Sequence, residues 1–193
     1  MISKDCNIHN SVKTTSPVNL YGCTLKKDAF VGPFVEIQKD ALIDEGTRVQ
    51  SHTFICSEVT VGKNCFIEPG ITFHNCKSYS NLTIGDNCYV GKNCFFDLRD
   101  KITIGNNVTI SMQCILLTHQ DMGKSTLVKL YNHTQSPLTI GDNVYIGAGV
   151  IILQGLKINR EVIIAAGSVV KDNADERTII GGVPARFLKK LSN

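Results

Sequence analysis

The sequence predicts an all-β fold, a parallel β-helix built from hexapeptide repeats. Three observations carry that prediction. Large apolar residues recur at every sixth position from Val31, at Ile37, Ile43, Val49, Ile55, Val61, Ile67 and Phe73. A second small or branched residue stands four places after them, as in Val35, Ala41, Thr47, Thr53, Val59, Cys65 and Ile71. Between the two sets lie mostly Gly, Asp, Asn, Lys and Glu, with Gly often directly after the aliphatic. A period of six held this long belongs to a stacked-coil solenoid, and it does not fit the 3.6-residue period of amphipathic helices.

The physical basis is direct. Each hexapeptide makes a short strand and a bend, and both apolar positions point inward. Gly, Asn and Asp tolerate the backbone angles of the bends. Three hexapeptides close one triangular coil, and coils stack at roughly 4.8 Å, the spacing between paired strands. One hexapeptide cannot bury its apolar residues alone, whereas stacked neighbours enclose a continuous core.

The pattern opens with Ile2 and Cys6, then Ile8 and Val12. Residues 13–20, with Pro17, read as a loop ahead of the main stack, which starts at Leu25 and Ala29. Residues 74–81 form a short polar insertion, after which Ile84 and Val90 resume the period. Residues 97–102 form a smaller interruption carrying Asp97, Arg99 and Asp100. Ile104, Ile110 and Leu116 follow, then the longest interruption, 118–137. A stretch of that length without repeat character is usually functional. Ile140, Ile146, Ile152, Ile158, Ile164 and Val170 close the series. The β-helix is thus expected over 1–173 of one domain, 1–193. Residues 174–193 are expected to add a strand near Ile179–Gly182 and a short helix opened by Pro184, since Pro suits a first helical turn.

Composition narrows the function. The formal charge is +3 and no basic run exceeds Lys189-Lys190, which argues against nucleic-acid binding. No apolar run is long enough for a membrane span. The first residues lack an apolar signal core, so the chain is expected in the cytoplasm. Eight cysteines are present without a C-x-x-C pair. Cys65, Cys88, Cys94 and Cys114 instead fall on the small inward position, where a thiol packs like an apolar residue.

Several segments carry a resemblance. Ile140-Gly141-Asp142-Asn143-Val144-Tyr145-Ile146-Gly147-Ala148-Gly149, Ala165 to Asp172 and Gly182-Val183-Pro184-Ala185-Arg186 resemble the late coils of the hexapeptide acyltransferases. Leu117-Thr118-His119, followed by a long loop and Pro137, is similar to the catalytic region of galactoside, maltose and related O-acetyltransferases. Val31 to Gln38 and Ser51 to Cys56 resemble N-acetyltransferases that act on nucleotide-linked amino sugars. The resemblance implies a left-handed helix, against the right-handed rule for parallel crossovers. It also implies acetyl-CoA as acyl donor, a sugar or nucleotide-sugar acceptor, and a homotrimer with sites between subunits.

His119 is the candidate general base. Acyl transfer from a thioester needs a group that takes the proton of the attacking hydroxyl or amine, and imidazole titrates near neutral pH. The plainer alternative is a surface-loop histidine. His133 is its nearest rival within the loop, whereas His52 and His74 read as turn residues and His9 as structural. A zinc site from His52, His74 and His119 does not fit by spacing, and no metal is expected. The resemblance makes the backbone N–H of Ala148 the oxyanion donor, at a position where galactoside enzymes often carry Ser. It places Ala166 and Gly167 along the pantetheine arm, and Lys171 and Arg186 at the CoA phosphates. It gives Asp100 and Asn93 to the acceptor sugar. Each of these is also an unremarkable bend or surface residue, and Asp97 and Arg99 read equally well as solvated loop charges.

The resulting expectation is an acetyl-CoA-dependent acetyltransferase with direct attack on the thioester. Its first acceptor candidate is the amino group of a nucleotide-linked sugar destined for a surface polysaccharide. A sugar hydroxyl is the alternative, and a non-catalytic β-helical scaffold the second.

Overall fold

The structure, a computed structural model, describes residues 1–74 and 82–192. It is a left-handed parallel β-helix with three faces. The first face has eight strands, from Asn7–Ile8 through Thr60–Val61 and Ile102–Ile104 to Lys157–Ile158. The second has ten, from Lys13–Thr14 through Tyr145–Ile146 to Thr178–Gly182 and Ala185–Lys190. The third has eight, from Val18–Leu20 through Phe95–Asp97, Ile115–Leu116 and Ile151–Ile152 to Val169–Val170. Apart from Ala185–Lys190, each of these strands pairs in parallel with its equivalent one coil away, so aliphatics stack directly, as in Ile55 on Phe73 and Leu116 on Ile152.

The inward positions expected from the period are buried from Leu25 onward, whereas in the open first coil Ile2 is 48% exposed and Cys6, Ile8 and Val12 are only partly buried. Val31, Ile37, Ile43, Val49, Ile55, Val61, Ile67 and Phe73 have no exposed surface. The Phe73 and Phe96 rings meet with centroids 4.8 Å apart and fill the middle of the column. The small position accepts a thiol or a hydroxyl because a carbonyl of the next coil is within reach. Thr47 Oγ1 donates to Gly62 O at 2.6 Å, and Cys65 Sγ lies 3.1 Å from Gly85 O. Close stacking also dictates Gly147, where a Cβ would meet Ala166 N at 2.5 Å.

The structure corrects four expectations. Residues 13–20 are not a loop. Lys13–Thr14 and Val18–Leu20 are strands of a regular first coil, joined by a short bend at Pro17. Asp97 ends a strand and is 4% exposed, so the interruption begins after it. The long segment 118–137 is an arm. His119–Gln120 pairs antiparallel with Thr134–Gln135, and a 3₁₀ turn at Thr126–Lys129 lies between them. No helix follows Pro184; Ala185–Lys190 pairs antiparallel with Thr178–Gly182. The last second-face strand would otherwise present an open edge of N–H and C=O groups, and the returning chain satisfies it. Pro184 sits in the tight turn between them. The 74–81 insertion lies outside the described residues beyond His74, whose backbone pairs with Asp97. Among the described residues, no helix is long and apolar enough to cross a membrane.

Candidate active site

His119 stands where the third face turns toward the first and the arm leaves the column. Parallel register fixes its neighbour: Phe95 lies on Ile115 and Phe96 on Leu116, which sets Asp97 beneath the start of the arm. Asp97 Oδ2 accepts the N–H of Thr118 at 2.9 Å and that of His119 at 3.1 Å. The same oxygen faces His119 Nδ1 at 2.5 Å. Asp97 Oδ1 accepts the Arg99 N–H at 3.3 Å. Burial opposes the charged form of Asp97, but these donors and the His119 ring outweigh it and hold the carboxyl below its usual range. Thr118, fully buried, locks the junction: its hydroxyl donates to Asp97 O at 2.7 Å and accepts from the Asp100 N–H at 2.9 Å.

The consequence is a defined tautomer. A carboxylate at Nδ1 keeps the proton there and leaves the Nε2 lone pair free to accept another. The His119 side chain is 30% exposed and lines a cleft of about 450 Å³ together with Arg99, Gln120, Asp121, His133, Thr134 and Gln135. Asp121 faces His133 Nδ1 at 2.9 Å and Arg99 Nη2 at 3.6 Å. The Gly123 N–H, then His133 and Arg99, lower the Asp121 carboxyl.

The remaining candidates fall into separate groups. Ala148 and Ala166–Gly167 stack on adjacent coils at the corner between the second and third faces, with Gly167 N donating to Ala148 O at 2.8 Å. Among the described residues the Ala148 N–H has no acceptor. The left-handed position of this corner is occupied by Phe34, His52, Gly70, Asn93 and Gln113 in earlier coils and by Gly149 and Gly167 in the last two. Among the described residues, sequence neighbours aside, nothing lies within 4 Å of a Cβ at Gly149 or Gly167, so the corner is open there, whereas a Cβ at Gly70 would meet Asn93 Oδ1 at 2.5 Å. Phe34 and His52 stack at 4.9 Å, consistent with a turn position for His52.

Asn93 belongs to this same corner column, across the third face from His119. Asp100 is beside Thr118, with its Oδ1 accepting the Lys101 N–H at 2.7 Å. Lys171 and Arg186 converge on Asp172 at the end of the column, with nitrogen–oxygen distances of 3.0 and 2.9 Å. Among the described residues, no group of three or more His, Cys, Asp and Glu side chains is arranged to hold a metal ion.

Comparison with known proteins agrees with this architecture. Residues 137–172 match the family model described as bacterial transferase hexapeptide (six repeats), and residues 81–112 match the hexapeptide repeat of succinyl-transferase. A putative acetyltransferase of Schizosaccharomyces pombe is 30% identical over 166 residues, covering 84% of this chain and 76% of that protein. The chain belongs to the hexapeptide-repeat acetyltransferase family. Within that family, the galactoside O-acetyltransferase of Escherichia coli is 34% identical over 140 residues, 69% of this chain. The chain spans 64% of that relative's length. A hexapeptide-repeat acetyltransferase of Vibrio cholerae, solved with acetyl coenzyme A, is 29% identical, with a TM-score of 0.61 over 68% of this chain and 70% of that one.

For this hexapeptide-repeat family member, the sequence alone does not bring Arg99, Asp121 and His133 into one cleft, nor Asp97 beneath His119 as its buried partner. A signal for Asp97 was present. Phe96 and Leu116 occupy equivalent inward positions of successive coils, so Asp97 had to underlie Leu117–Thr118. Asp121 and His133 meet only because the arm folds back, and no repeat encodes that.

Proposed function

We propose that this chain transfers an acetyl group from acetyl-CoA to a hydroxyl of a sugar, with His119 as general base and Asp97 as its positioning residue. The observation that carries the reading is the Asp97–His119 contact, which leaves Nε2 as the proton acceptor in a cleft. His119 Nε2 takes the proton of the acceptor hydroxyl as its oxygen attacks the thioester carbonyl carbon. The tetrahedral oxyanion rests on the Ala148 N–H. Collapse expels the CoA thiolate, which receives the proton from the imidazolium, and the acetyl ester leaves. Ala166 and Gly167 line the pantetheine groove, and Lys171 and Arg186 meet the CoA phosphates. The acetyl-CoA complex of the Vibrio cholerae relative supports this donor.

The reading requires more than one copy. His119 and Ala148 lie at opposite edges of the third face, on the order of 15–20 Å apart at about 3.3 Å per residue. A second copy must bring its Ala148 corner, and with it Asn93, to the His119 of the first. The third face suits such contact. Its outward residues include Phe54, Phe95, Ile115, Ile151 and Val169 beside Glu36 and Thr72. The second face, which shares the Ala148 corner, presents Phe66, Tyr89, Tyr145 and Ile163, whereas the first face presents Thr60, Thr83, Thr103 and Thr139. A homotrimer closes this arrangement. Asp100, beside Thr118, contacts the acceptor from the His119 side.

A hydroxyl is favoured over an amino group. The segments that resemble amino-sugar enzymes lie four and three coils from the His119 strand, about 19 and 14 Å away at 4.8 Å per coil. The named galactoside relative acts on oxygen. The test is acetyl-CoA-dependent thiol release over a panel of simple glycosides and nucleotide-linked amino sugars. Turnover of glycosides is expected; turnover of amino sugars alone would overturn the hydroxyl assignment, and none at all would overturn the activity.

A further inference from the structure

The cleft beside His119 contains a cation that the proposed chemistry does not use. Arg99 is anchored two residues from Asp97, with its own N–H on that carboxylate and the fully buried Leu98 before it. Its side chain is 21% exposed and lines the cleft. Among the described residues its guanidinium has one polar contact, the 3.6 Å ion pair to Asp121 Oδ2, and its Nε is buried without a partner. Asp121 is itself committed elsewhere. Its Oδ1 accepts the Gly123 N–H at 2.6 Å and faces His133 at 2.9 Å.

A guanidinium held in place for structure normally has its donors filled, because buried polar groups without partners are rare and costly. Here a planar, permanently charged group is held at the mouth of the site with most of its donors unused. Such a group matches a carboxylate. Gln120, Thr134 and Gln135, the neutral polar side chains of the lining, suit the hydroxyls of a sugar ring. Apart from the two histidines, Arg99 is the one basic side chain named in that lining, which favours a single carboxylate over a diphosphate.

We infer that Arg99 receives a carboxylate of the acceptor, so that the acceptor is an acidic sugar of the uronic type. The inference rests on the acetyltransferase reading above and names its substrate class. The reacting hydroxyl would lie at His119 and the carboxylate within one ring of it.

The test compares binding of a methyl galacturonide and the matching neutral methyl galactoside to the full chain, by titration calorimetry with CoA present, at low and high salt. The galacturonide is expected to bind at least about tenfold more tightly, the scale of one charge-assisted pairing. Arg99→Met is expected to abolish the preference and Arg99→Lys to retain part of it, because ammonium keeps the charge without the fork. Equal binding of the two sugars to the unaltered chain would overturn the inference without any variant having to fold. So would tighter binding of a neutral nucleotide-linked sugar. An Arg99-dependent preference without acetyl transfer would support the inference and refute the enzymatic reading.

Discussion

His119 and Asp97 are joined at 2.5 Å between Nδ1 and Oδ2, although 22 residues separate them in the chain. The β-helix makes them neighbours by stacking one coil on the next. Asp97 is 4% exposed and its carboxylate takes donors from the backbone of the arm, so the same residue orients the base and fastens the arm to the column.

Asp97→Asn keeps the shape of the side chain and removes its charge. The amide cannot hold the proton on Nδ1 as a carboxylate does. Turnover is expected to fall by roughly 10²–10⁴, with a smaller change in the KM for acetyl-CoA. Steady-state kinetics of the folded variant check this.

The same carboxylate ties stability to pH. Its pKa in the fold lies below the ordinary value of 3.8. Asp97 therefore contributes stability that is fully present above the unfolded-state pKa. That contribution is lost as pH falls through the lower folded-state value. Denaturant melts from about pH 6 down to about pH 2 are expected to show acid loss of stability in the natural chain. In Asp97→Asn that component should be absent, on top of a pH-independent deficit of about 1–3 kcal/mol from weakened buried hydrogen bonds.

The core cysteines are packing residues. Thr47 occupies the inward position that Cys65 and Cys88 take in later coils, and Thr53 the one that Cys94 and Cys114 take at the next corner, and each hydroxyl reaches the carbonyl that a thiol would face. Cys94→Ser is therefore expected to cost no more than about 1–2 kcal/mol and to leave turnover intact. Burial also pushes the Cys23 thiol up to about 12 and the Cys56 thiol up to about 11. Thiol-reagent titration at neutral pH is expected to leave these two unmodified until the chain unfolds.

Lys171 and Arg186 share Asp172, whose carboxyl is lowered by Lys171 first and Arg186 after it. With one carboxylate between two cations, net positive charge remains for a phosphate. Lys171→Ala and Arg186→Ala are each expected to raise the KM for acetyl-CoA by about three- to tenfold with little effect on kcat, and the effect should shrink in high salt. Unchanged KM values would place the CoA phosphates elsewhere.

The sequence carried the column and lost the details at its breaks, for a physical reason. A solenoid core repeats the same environment, so Val31 to Phe73 announce their inward orientation by period alone. Lys13–Thr14 and Val18–Leu20 were harder to read because their short strands flank Pro17. The strand after Pro184 depends on the unpaired edge of Thr178–Gly182, which no local signal reports. His119 was legible from its place before a long interruption. Asp97 needed coil register, and the Arg99–Asp121–His133 group needed the fold of the arm, which is set by antiparallel pairing of His119–Gln120 with Thr134–Gln135.

The decisive measurement is acetyl-CoA-dependent turnover by His119→Ala under saturating acceptor, with melting temperature and acetyl-CoA affinity recorded beside it. A general base of this kind is worth roughly 10²–10⁴ in rate, so turnover is expected to drop by that factor while folding and donor binding persist. Turnover at the rate of the unaltered chain would contradict a role for the imidazole in proton transfer.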